Sequence, residues 1–327
     1  MIILSSSMFR NDTHSIQMHA MVSLALEGLH RISIDDDTDV HVSSWIAGLP
    51  TTLKEQWQEV LDQGYRLEAL EPAKRSAVSA DVNESNWDLE IPILTPTDAH
   101  QLMRKPFNAL LENAFSDKFF LLRMANEEQR RFIERYEKVG ALNFENGGGI
   151  TEMPKRLDRA AAIGKSETIR LWVLFDSDAL KPNEPSPHSS QLKAKCVELG
   201  VAHYQLKRRS IENYIPRRTL QAWAFNNPKL KGNRQPVYQA YMKLTSEQRS
   251  HYNLKEGFAG DMKRRPPADL SLFDSLCEAD QRLLAGGFER SISDVFHSDL
   301  VHEEDLAVDG CWTEMNPVVV QLIALLR

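Results

Sequence analysis

Ile169-Arg170-Leu171-Trp172-Val173-Leu174-Phe175-Asp176-Ser177-Asp178 decides the fold. A short apolar run that stops abruptly at polar residues reads as a strand buried on both faces, the kind found in parallel sheets. The same pattern recurs on either side of it. Phe107 to Leu111 is a strand closed by Glu112, Ala141 to Phe144 is a second, and Val201 to Leu206 is another. Between them lie helical stretches: Ser116 or Asp117 to about Val139, Thr151 to Ala162, and Ser189 to Leu199. Strand–helix alternation with crossover connections implies an α/β fold, a parallel sheet with helices on both faces, over residues 105–216.

Functional side chains of a parallel sheet gather at the carboxyl ends of its strands. Three acidic stations stand at such positions: Glu112, the Asp176/Asp178 pair, and Glu212 in Lys207-Arg208-Arg209-Ser210-Ile211-Glu212-Asn213-Tyr214. Carboxylates arriving from separate strands suit Mg²⁺ or Mn²⁺, because hard cations prefer oxygen ligands. Such a site serves phosphodiester chemistry. Each station has a plainer reading as a turn, a helix cap or a salt-bridge partner. Their order on alternating elements favours one shared metal site. Lys181-Pro-Asn-Glu-Pro-Ser-Pro-His188 follows the Asp pair as a substrate-facing loop. Gly147-Gly148-Gly149 reads equally as a phosphate cradle or a tight turn. Gly164-Lys165-Ser166 is not a P-loop, since position 159 is Arg and a helix precedes it.

The flanks differ from this centre. Residues 1–104 read as an α/β unit of their own: strand Ile2 to Leu4, helix Thr13 to Ile32, and a helix from Thr52 to near Gly64. Strands at Tyr65 to Leu70 and Ile91 to Leu94 follow, with residues 74–90 as a loop. Asp35-Asp36-Asp37 reads as a solvated turn, with metal binding as the other reading. Residues 217–327 are mainly helical, with helices at Thr219 to Phe225, Val237 to Leu244, Leu270 to Leu284 and Asn316 to Arg327. Breaks are expected at Asn226-Asn227-Pro228, Gly232-Asn233 and Arg265-Pro266-Pro267.

The 327 residues carry a net charge of −7. Its distribution is uneven: Lys207 to Arg265 holds 14 Lys/Arg against 4 Asp/Glu. Tyr204, Tyr214, Trp223, Phe225, Tyr238, Tyr241 and Tyr252 lie in or beside this segment. Basic groups mixed with aromatics suit a nucleic-acid backbone with stackable bases. A solvated helical face over an aromatic core is the competing reading. The three cysteines, Cys196, Cys277 and Cys311, form neither a disulfide frame nor a Cys₄ zinc site. No apolar run reaches membrane-spanning length and the first residues are not a convincing signal peptide, so a cytoplasmic protein without a membrane partner is expected.

Four segments together resemble a TOPRIM domain, the fold shared by topoisomerases, bacterial primases and OLD-type nucleases. They are Leu110-Leu111-Glu112-Asn113-Ala114-Phe115-Ser116-Asp117, Asn143-Phe144-Glu145-Asn146-Gly147-Gly148-Gly149, Trp172 to Asp178, and Arg208 to Pro216. Two positions depart from the pattern. Asn113 stands where a Gly is usual, and Leu180 where an extended motif has a third acid. The second departure counts against a topoisomerase-type site. The resemblance implies that Glu112, Asp176, Asp178 and Glu212 hold Mg²⁺ or Mn²⁺, with Glu112 as general base or acid. Lys207 or Arg208 would stabilise the transition state; Asp117 reads as a cap of its helix, with metal binding as the other reading. It implies a metal-dependent nuclease cleaving DNA or RNA, similar to the stand-alone TOPRIM effectors of bacterial antiphage systems such as PARIS. Such effectors work with a separate ATPase, so an ATPase partner is expected, and a homodimer by analogy. The alternative is a non-catalytic TOPRIM-like nucleic-acid-binding or assembly module.

Overall fold

The structure, a computed structural model, describes residues 1–70, 75–226, 231–263 and 269–326; for 67–70, 226 and 231–233 it describes the backbone alone. The chain is α/β, with two parallel four-stranded sheets flanked by helices. The first holds β1 (Ile2–Leu4), β2 (Ile32–Ile34), β3 (Ser76–Val78) and β4 (Ile93–Leu94) in the order β2-β1-β3-β4. The second holds β5 (Phe107–Leu111), β6 (Leu142–Asn146), β7 (Leu171–Phe175) and β8 (Ala202–Gln205) in the order β6-β5-β7-β8. All pairings within the named strands are parallel.

The run from Leu171 to Phe175 is buried at every position and lies between β5 and β8, which accounts for its unbroken apolar character. Leaving β5, the chain crosses to β6 on one side and later to β7 and β8 on the other. The carboxyl ends of β5 and β7 therefore flank a topological switch point, where open α/β sheets form their crevice.

Several expectations are corrected. Tyr65 to Leu70 is no strand: one helix runs over Thr51–Leu70. Gly64 does not end it. A Cβ there would lie 2.0 Å from the carbonyl oxygen of Ile32, so the glycine lets the helix pack closely on β2. The helix expected from 116 to 139 is two, Ala114–Met124 and Glu127–Lys138. Asn126 separates them with a capping box: its side chain accepts from the Gln129 N–H, and the Gln129 side chain accepts from the Asn126 N–H. Ser76–Val78, expected as loop, is β3, and the first long helix stops at Leu26. Gly232-Asn233 falls within the helix Lys231–Met242. Leu270 to Leu284 is a short 3₁₀ turn, Ser271–Phe273, and then a helix, Glu278–Leu284. Asn227-Pro228 and Arg265-Pro266-Pro267 lie outside the described residues.

One apolar core joins the second sheet to the C-terminal helices, running from Phe107 and Trp172 through Tyr214 and Tyr252 to Phe296 and Leu326. The 216/217 boundary lies inside it. Residues of the first sheet and its helices form a separate core around Leu4, Met18, Trp57 and Leu94. Among the described residues, no helix is long and apolar enough to cross a membrane.

Candidate active site

Glu112 follows β5 directly, and Asp176 follows β7. Leu111 pairs with Leu174 in register, so the two acids leave neighbouring strands at nearly the same level. The loop after β7 is fastened to the loop after β8. Ser177 Oγ donates to the carbonyl of Arg208 at 2.8 Å, and the Asp178 N–H donates to the carbonyl of Arg209 at 2.8 Å. The N–H of Ile211 donates to Asp176 Oδ1 at 3.2 Å, which brings the 3₁₀ turn Ile211–Tyr214 and its Glu212 over β7. Asp178 takes φ 51°, a left-handed conformation that few non-glycine residues adopt and that recurs at functional sites.

Two further groups complete the cluster. Asp117 lies in the first turn of the Ala114–Met124 helix, and its Oδ2 accepts from the Asn113 N–H at 2.8 Å. The helix's N-cap is Asn113, whose side chain accepts from the Phe115 N–H, and Asp117 supports that cap from within the first turn. Asp117 is also buried and feels the charge of Glu212. Lys255, counted in the sequence only as one of many basic residues, sends Nζ to within 2.9 Å of Glu212 Oε1. Nothing in the local sequence sets this lysine apart. It is chosen by the packing of the C-terminal helices, a long-range outcome.

Among the described residues, five carboxyl groups therefore face a single ammonium, and the proton affinities of Glu112, Asp117, Asp176 and Lys255 reflect it. Burial, reinforced by the charges of Asp178 and Asp117, pushes Glu112 up to about 7. Burial pushes Asp117 up to about 6, against the opposing hydrogen bond from Asn113. Asp176 is held well above the carboxylate range by burial and by the charges of Glu112 and Glu212. Burial opposes the charge on Lys255, but Glu212, Asp176 and Glu112 outweigh it and hold the ammonium above its ordinary pKa.

The other candidates are placed elsewhere. Arg208 turns away from the acids: it donates to the carbonyls of Asn213 and Asp309 and lies over the Tyr214 ring. Lys207 is exposed, beside a cleft of about 560 Å³ that His203, Gln205 and Lys193 also line. The glycine segment is a turn. The N–H groups of Gly147 and Gly149 donate to the carbonyls of Leu111 and Glu112, and that of Gly148 to Asn146 Oδ1, so none is left for a phosphate. Asp35 and Asp36 likewise form a turn: their carboxylates accept from Ser6, Asp36 and Thr38 N–H groups.

Several basic groups of the Lys207–Arg265 segment are taken up by acids, most of them on the helices and turns that follow it. Arg209 pairs with Asp261, Arg217 with Asp309, Arg218 with Asp305, Arg234 with Glu289, and Lys243 with Asp280. Its aromatics are core: Tyr214, Tyr241 and Tyr252 are buried, and Trp223 and Phe225 pack against the same core, on Phe288 and Tyr238. The aromatic-core reading of this stretch is therefore the one the structure supports.

Among the described residues, no three His, Cys, Asp or Glu side chains enclose a metal ion in this arrangement. The donor set still suits one. Glu112 Oε2 is buried without a hydrogen-bond partner, and the all-carboxylate character matches a hard divalent cation. Comparison of the chain with protein-family models, with curated proteins and with solved structures gives no match.

Proposed function

We propose that this protein is a metal-dependent nuclease, hydrolysing phosphodiester bonds of DNA or RNA at the Glu112–Asp176–Asp178–Glu212 cluster. One observation carries the reading: five carboxyl groups and one lysine converge at the switch point of a parallel sheet, beyond any structural need for so much like charge. Buried like charges are costly, and they are retained where a ligand or reaction uses them.

The residues divide the work by environment. Asp176, Asp178, Glu112 and Glu212 would hold Mg²⁺ or Mn²⁺. The ion, when bound, would acidify a water and neutralise charge on the phosphate. Glu112, with a pKa raised to about 7, is poised to exchange a proton at neutral pH. The Lys255 ammonium takes the charge-stabilising place that Lys207 and Arg208 were expected to fill. The TOPRIM resemblance extends the proposal to an antiphage effector acting with a separate ATPase, and a pull-down would identify that partner.

The test incubates the protein with plasmid, single-stranded DNA and total tRNA, in Mg²⁺, Mn²⁺ or EDTA, beside Asp176→Ala. Metal-dependent cleavage that the substitution abolishes is expected. Cleavage that survives it, or that proceeds in EDTA, would refute the assignment. Binding without cleavage, unchanged or tighter in Asp176→Ala, would favour a non-catalytic module.

A further inference from the structure

The aromatics that the sequence offered for base stacking are packed in the core, yet one ring elsewhere is held open. Phe115 is 66% exposed, the only aromatic among the exposed large apolar side chains of the described residues. It sits in the first turn of the Ala114–Met124 helix, three residues after Glu112 and two before Asp117. Three residues of chain confine its Cα to within about 11 Å of that of Glu112. The ring leaves the helix on the face of Phe119, about 200° around from Asp117, so a nucleotide flanking the cluster would meet it by passing over the helix's N-terminal end.

The ring is also braced. Its centroid lies 4.3 Å from that of His297 and 5.8 Å from that of Phe119. Phe119 and His297 themselves stack at 4.1 Å. His297 Nε2 is buried without a hydrogen-bond partner, so this imidazole serves as a packing surface. A ring fixed from behind and open in front gives up little freedom when a ligand stacks on it. Exposing it leaves a side chain's worth of apolar burial unrealised, which a flat ligand would recover.

We infer that Phe115 is the stacking platform for an unpaired nucleobase beside the scissile phosphate, so that the substrate is single-stranded or carries an unpaired base at the cut. This rests on the nuclease reading above. Bases in an intact duplex are stacked on one another and offer only their edges in the grooves, whereas an unpaired base offers its face.

Binding in EDTA tests it without requiring turnover. Single-stranded DNA and RNA oligonucleotides carry 2-aminopurine at the central position, beside matched strands that are abasic there. Wild-type protein is expected to quench the 2-aminopurine. Phe115→Ala should weaken binding of the base-bearing strand roughly 5- to 150-fold, leave the abasic strand unchanged and abolish the quench, while Phe115→Trp keeps both. Equal loss on both strands, no loss on either, quenching that persists in Phe115→Ala, or no binding of any strand by wild type would overturn it. Base-dependent binding without metal-dependent cleavage would leave the platform and remove the nuclease. Asp176-dependent cleavage of single strands that Phe115→Ala leaves untouched would do the reverse.

Discussion

Glu112 and Lys255 show how the cluster resolves its excess negative charge at the level of single residues. A carboxyl group whose folded pKa is raised to about 7 from an ordinary 4.5 binds more protons folded than unfolded between those values. Its contribution to stability is therefore complete below about pH 4.5 and falls as pH rises through 7. Asp117 acts in the same direction up to about pH 6. Urea unfolding in EDTA should then show stability declining from pH 5 to pH 7.5, and Glu112→Gln should flatten the slope by on the order of 2 kcal/mol. Mg²⁺ should stabilise more as pH rises through 7, where Glu112 and Asp117 lose their protons. A slope unchanged in Glu112→Gln would remove that residue from the cause. Lys255→Met strips the cluster of its ammonium and leaves Glu212 buried and unpaired, a loss of about 3 kcal/mol in EDTA. Mg²⁺ should restore part of it, and a variant as stable as wild type in EDTA would show that the ion pair carries no net stabilisation.

The elements beneath these residues hold the acids in place by backbone contacts. Gly147 donates its N–H to the carbonyl of Leu111, and a Cβ there would meet that oxygen at 2.8 Å and Met153 Cγ at 2.6 Å. Gly147→Ala must push the end of β6 off the end of β5, beside Glu112. It should cost about 2 kcal/mol, seen as a lowered urea midpoint, and should reduce cleavage more than Gly140→Ala or Gly200→Ala, where a Cβ meets nothing within 4 Å although, unlike Gly147, both glycines have a positive φ that a side chain would strain. Strand–helix alternation in 105–216 was readable because buried strands leave continuous apolar runs and turns interrupt them. Glu112, Asp176, Asp178 and Glu212 were readable as acids closing such runs. Lys255 was not, because its position depends on helix packing some forty residues along the chain. The reading of Arg208 failed for a related reason: sequence proximity to Glu212 says nothing about side-chain direction, and the carbonyls of Asn213 and Asp309 claim its guanidinium. Tyr65 to Leu70 misled because six residues are too few to distinguish a strand from the last turns of a helix.

Across the whole molecule, the C-terminal helices form part of the site's scaffold. Glu314, on the helix Cys311–Leu326, accepts from the Tyr214 and Tyr204 hydroxyls and from the Lys207 N–H at 3.1 Å. It thereby clamps the end of β8 to the turn that carries Glu212. Asp309, just before that helix, takes the Arg217 side chain and, through its carbonyl, Arg208. The same helix buries Met315, Val318, Val319, Leu322, Ile323 and Leu326 in the core shared with the second sheet. At roughly 1.5–3 kcal/mol per buried side chain, these exceed much of the 5–15 kcal/mol that keeps a protein folded. Truncation after Val308 should therefore abolish hydrogen-exchange protection in β5, β6, β7 and β8, whose core the helix shares, and a truncate that keeps that protection would show the helix to be an appendage. Glu314→Ala separates bracing from bulk packing. It leaves the apolar face intact but deprives the buried Tyr214 O–H of its acceptor, the Arg208 N–H still donating to that oxygen, at about 2 kcal/mol. Because the brace leads to Glu212, Glu314→Ala should weaken Mn²⁺ binding as well as stability, whereas Leu322→Ala, buried on the same helix away from the hydroxyls, should lower stability alone. Mn²⁺ titration of the two folded variants by electron paramagnetic resonance distinguishes them, and equal affinities would confine Glu314 to a purely structural role.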